Sequence, residues 1–96
     1  MNRFFEAQGR QWVAAAHRRD AAIEPPTLDA RVALELLELA RVAAHTQERR
    51  FAPLSCFMAG VAAERLRAAK PGIDDVAVAA YIQEVRQELE AEAPAG

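Results

Sequence analysis

The chain has one cysteine, one lysine, and no apolar run of the roughly 20 residues a membrane helix needs. Cys56 by itself closes no intramolecular disulfide. With only His17 and His45 beside it, the four nitrogen and sulfur ligands of a structural zinc site cannot be assembled, so no metal site is expected. Near the N-terminus Gln8, Arg10 and Gln11 interrupt any signal-peptide core, and the expectation is a soluble, cytoplasmic protein. Lys70 is the only lysine; 12 basic residues face 14 acidic ones, for a formal net charge of -2. That balance lacks the positive field of an autonomous nucleic-acid binder. Neither a GxGxxG stretch nor a Walker sequence is present to cradle phosphates. Glu35, Glu38, Glu84, Glu88, Glu90 and Glu92 read as solvated helix faces, with no pair at acid/base separation.

What is present is helix-forming. The 96 residues suffice for one modest core, and much of the 52% hydrophobic content is alanine, which buries little area but favours close helix packing. Glycine and proline fall at "EPPT" (24–27), Pro53, "KPG" (70–72) and "APAG" at the end. Between them lie four segments with helical period, no alternating strand pattern and no repeat. The fold class is all-α, expected as a compact four-helix bundle-like single domain with helices near 3–20, 29–48, 53–69 and 75–92.

Each segment has an apolar side. Phe5, Trp12, Val13 and Ala16 share a face of the first, with Trp12 as its anchor and Gly9 as an interior weak point. Asp29 caps the second, whose stripe is Val32, Leu36, Leu39, Ala40 and Ala43, widened by Ala33, Leu37 and Ala44, leaving Leu34 and Val42 on the charged side as solvated singles or a small contact patch. Pro53 suits the first turn of the third helix, and Leu54, Phe57, Met58, Val61 and Ala62 form its expected inner face, with Gly60 off it. The fourth start is the most explicit: Asp74 is the cap, and Ile73 and Val78 bracket it as a hydrophobic staple.

"AHTQERRFAPLSCF" (44–57) is the one place where imidazole, carboxylate, guanidinium, hydroxyl and thiol crowd together. The simplest reading is a helix end: His45, Glu48, Arg49 and Arg50 complement the negative terminus of the second helix and hold a turn. The functional alternative is an anion site in which Arg49 and Arg50 join free backbone N–H groups around Leu54, Ser55 and Cys56 at the start of the third helix. Its candidate residues are His45, Glu48, Arg49, Arg50 and Ser55. A catalytic Cys56–His45 pair is disfavoured because no element fixes their separation. A DNA-reading helix is disfavoured by the apolar first turns of the third segment.

"LLELARVAAHTQERRFAPLSCFMAGVAAER" (36–65) resembles a small actinobacterial family of uncharacterised helical domains. The match lies in Ala44, His45, Glu48, Arg49, Ala52, Pro53, Leu54 and Gly60, and Trp12 with Val13 is similar to that family's N-terminal Trp-Leu pair. Residues 1–11 extend beyond the usual start, and "IEPPT" replaces the usual first turn. Domains of this kind occur alone or joined to molybdenum-cofactor guanylyltransferases, so the resemblance implies an association with molybdenum-cofactor biosynthesis. The chain lacks the Gly-rich nucleotide-binding part of such an enzyme. The resulting expectation is a non-catalytic accessory or protein-interaction module, without a cofactor, whose partner is a protein such as that guanylyltransferase, with no nucleic acid or membrane. It would dock through Leu34 and Val42 or the surface around Gly60, and self-association stays open. The alternative is a domain binding a small phosphate or nucleotide ligand at the turn between the second and third helices.

Overall fold

Asn2 sets the first helix boundary. Its side-chain Oδ1 accepts the Phe4 N–H at 2.7 Å, which satisfies one of the orphan donors at a helix start, and its backbone carbonyl accepts the Glu6 N–H at 3.1 Å as the first bond of the helical ladder. The computed structural model of the chain describes residues 2–92, and this helix, α1, spans Arg3–His17. It stops three residues before the sequence-based end at 20. Asp20 takes φ of 60°, a left-handed conformation that aspartate tolerates, and the Ala21 N–H folds back to the Ala16 carbonyl at 3.0 Å. Three further helices follow: α2 (Ala30–Thr46), α3 (Phe51–Ala69) and α4 (Asp75–Ala91). All-α is therefore the observed class, and no strand occurs among the described residues.

The chain divides into two compact units, one running to Ala30 and the other beginning at Arg31. In the first, the irregular segment after α1 returns along the helix. A Cβ added at Gly9, the one buried residue of α1, would lie 3.0 Å from the Pro26 carbonyl oxygen. Gly9 is thus a contact point as well as a helix-weakening residue. Trp12, expected as a buried anchor, is 57% exposed and borders a cleft shared with Phe5, Gly9, Pro26 and Leu28.

In the second unit the core is Leu39 from α2, Ala63 from α3 and Val78 and Ile82 from α4, with Val32, Leu36, Ala59, Ile73 and Leu89 packed around it. The start of α4 follows its sequence: the Asp74 carboxylate accepts the Ala77 N–H at 2.9 Å, and Ile73 and Val78 meet in the core. Glu35 pairs with Arg86 and Arg41 with Glu90, positions that rise together along the two helices, so α2 and α4 run in the same sense.

Two faces differ from expectation. On α2, Val42 is 2% exposed, while Leu34 is 64% exposed and Leu37 is also exposed; the inward face is turned toward Leu39, Val42 and Ala43. A docking patch made of Leu34 and Val42 together therefore does not exist. On α3 the bulky stripe faces outward: Phe57 and Met58 are each 72% exposed and Leu54 is exposed, while Ala59 and Ala63 face the core. Alanine on the inner side lets α3 approach its neighbours closely, and that close packing displaces the larger side chains to the outside.

Candidate functional site

The turn between α2 and α3 is closed by backbone and ion-pair contacts. Thr46 Oγ1 donates to the Val42 carbonyl at 2.7 Å, and the Gln47 N–H donates to the Ala43 carbonyl at 3.0 Å, which finishes α2. Arg50 Nε donates to Glu48 Oε2 at 3.2 Å across the turn. The Phe51 N–H then reaches the Glu48 carbonyl at 2.9 Å and the Ala52 N–H reaches the Arg49 carbonyl at 3.2 Å. These short-range bonds start α3 at Phe51, two residues ahead of the position set by Pro53.

That earlier start bears on the expected anion site. An α-helix leaves only its first N–H groups without an intrahelical partner. With α3 beginning at Phe51, the N–H groups of Leu54, Ser55 and Cys56 fall inside the helical ladder, those of Phe51 and Ala52 are engaged in the turn, and Pro53 has none. His45, Glu48, Arg49 and Arg50 are exposed and Ser55 is half-buried. Of the five, Ser55 alone lines the groove between α3 and α4 described below. Cys56 is half-buried and its thiol donates to the Leu36 carbonyl at 3.5 Å, tying α3 to α2. Burial pushes the Cys56 thiol pKa up, opposite to what a reactive thiolate requires. Among the described residues no three His, Cys, Asp or Glu side chains group as metal ligands, and no helix is long and apolar enough to cross a membrane.

The chemistry of the second unit is concentrated on the two flanks of α4. Toward α2, five side chains form one run of opposite charges: Glu38 to Arg41 at 2.9 Å, Arg41 to Glu90 at 3.4 Å, Glu90 to Arg86 at 3.6 Å and Arg86 to Glu35 at 3.1 Å. The hydrogen bonds that Arg41 donates to Glu38 are the main cause, with the Glu38 charge and Glu90 adding to them, of an Arg41 pKa above its ordinary value. Arg86 and Glu35 are the least exposed, half-buried end of the run, and Arg86 Nε is buried with no hydrogen-bond partner among the described residues.

Toward α3 lies an open groove of about 340 Å³, floored by Leu39, Ile82 and Leu89 and walled by Met58, Tyr81 and Val85. Glu88 and Glu92 close one end of its wall. Sequence reasoning passed over this groove. Two signals for it were nonetheless present: a second apolar stripe on α3, and an α4 last turn that contains glutamates and no basic residue.

No curated protein and no solved structure matches the chain. A family described as a domain of unknown function, DUF6457, matches residues 6–96, from within α1 through the end of α4, so residues 6–11, expected to precede the family's usual start, lie inside the match. The chain belongs to the DUF6457 family.

Proposed function

We propose that the chain is a non-catalytic helical interaction module that docks a protein partner on the outward apolar side of α3 and the groove beside it. The observation that carries this reading is the inversion of α3, with Phe57 and Met58 in water while alanines face the core. Contiguous apolar surface is costly to leave solvated, at roughly 25 cal/mol per Å², and patches of this kind mark interaction sites. Flexible, polarizable methionine adapts to the shape of a partner.

The partner supplied by the sequence resemblance is a molybdenum-cofactor guanylyltransferase, and with it a role in molybdenum-cofactor biosynthesis. Calorimetric titration of the purified chain into such an enzyme tests this. Binding that is lost in Phe57→Ser/Met58→Ser and kept in Leu34→Ser, with unchanged helical circular dichroism, is the expected result. Binding that survives the α3 double change rejects this face. No binding by the wild type rejects the guanylyltransferase as partner.

A further inference from the structure

The groove between α3 and α4 is apolar along most of its wall and acidic at one end. Tyr81, Val85, Glu88 and Glu92 stand on one side of α4 at helical spacing, opposite Met58 and Ala62 of α3. Glu88 and Glu92 have no ion-pair partner among the described residues, whereas Glu90, on the other flank, meets both Arg41 and Arg86. The unpaired carboxylates also sit where α4 ends. The helix dipole places about half a negative charge there, and no basic residue in the last turn offsets it. Two negative contributions thus add at one end of an apolar trough, and a cation placed there lowers the energy while an anion raises it.

We propose that this groove takes an amphipathic helix that carries lysine or arginine at the end lying over Glu88 and Glu92. The statement rests on the interaction-module reading and adds the chemistry of the partner. A helix fits because its apolar anchors recur at the one-turn spacing already present in Tyr81, Val85 and Leu89, and because a third helix packs naturally between two others. An extended peptide would need a sheet edge, and the described residues contain no strand. The cationic end sets the direction in which the helix lies; the apolar stripe supplies most of the contact.

Two synthetic amphipathic helices test this, sharing one leucine face and differing only in whether the final turn carries lysines or glutamates. Each is titrated into the full chain at low and high salt. The lysine-ended peptide binds about tenfold tighter at low salt, the gain expected of two partly exposed ion pairs, and the advantage shrinks at high salt. The double change Glu88→Lys/Glu92→Lys reverses the order of preference without altering helical circular dichroism. Equal affinities, or a preference that survives the double change, overturn the cationic-end assignment and leave apolar docking on α3 standing. If neither peptide binds, the groove is not a helix site, and the guanylyltransferase titration with the α3 variants then decides the interaction-module reading on its own.

Discussion

Helix α4 carries glutamates on both flanks, and the two flanks are resolved in opposite ways. Toward α2 the carboxylates are absorbed into a run of ion pairs whose inner members, Arg86 and Glu35, have side chains only 14% and 18% exposed. Toward α3 the carboxylates Glu88 and Glu92 stand, among the described residues, without ion-pair partners beside an apolar trough. Charge that is matched within the fold contributes register and rigidity, and the α2 flank leaves little for a ligand to gain. Charge left unmatched beside exposed apolar surface is a local conflict, and such conflicts concentrate where a protein meets something else. The same residue type therefore supports the structure on one side of the helix and, in the interaction proposed above, would serve recognition on the other.

The most severe way to break this contrast is to remove the core that holds both flanks in place. Ile82→Ala should cost about 2–5 kcal/mol in urea unfolding, because it deletes buried volume where α2, α3 and α4 meet. Next, Glu35→Gln removes the charge that faces the part-buried Arg86, whose Nε already lacks a partner among the described residues. A loss of about 1–3 kcal/mol is expected, measured the same way. The matching change on the open flank, Glu88→Gln, should leave the unfolding midpoint unmoved or slightly raised, since it relieves negative charge at a helix C-terminus.

Two glycine substitutions sharpen the picture further. At Gly60 an added Cβ meets nothing within 4 Å, so Gly60→Ala should stabilise α3 by about 0.5–1 kcal/mol. At Gly9 the same helical gain is opposed by the Pro26 carbonyl, and Gly9→Ala should show no gain or a loss. On stability the effect of Phe57→Ser and Met58→Ser should likewise be small, no more than about 0.5 kcal/mol each, while removing partner binding.

The thiol adds a pH dependence. Burial raises the folded-state pKa of Cys56, so its contribution to stability is complete below the ordinary thiol range and is lost as pH rises through the raised value. Cys56→Ser should flatten that alkaline decline in unfolding curves recorded across the range.

How much of this was legible depended on how local the signal was. Ile73, Asp74 and Val78 specify the start of α4 within six residues, and that start was read correctly. The end of α1 was missed because a left-handed Asp20 is one of several residues able to stop a helix, and composition alone does not say which one will. The rotation of α2 that buries Val42 and exposes Leu37 depends on neighbours far away in sequence. On α3 two apolar stripes compete; bulk favoured Phe57 and Met58 for the core, and close packing through Ala59 and Ala63 prevailed.

The candidate site divides in the same way. His45, Glu48, Arg49 and Arg50 were recognisable as a helix-ending turn, and the Arg50–Glu48 pair has that geometry. The free amides that would have made the turn an anion site depended on a helix start at Pro53, and the bonds from Phe51 and Ala52 begin α3 earlier. Glu88 and Glu92 read as two exposed acids among many, because only the fold shows that an apolar groove runs between them and α3.

The most direct test of the contrast between the two flanks is an amide chemical-shift map of the full chain with the lysine-ended helix added. The account predicts saturable shifts at Met58, Ala62, Tyr81, Val85 and Glu88, with Glu35, Glu38 and Arg41 unmoved. Shifts that run along the α2–α4 ion pairs, or that are confined to residues 45–56, would contradict it.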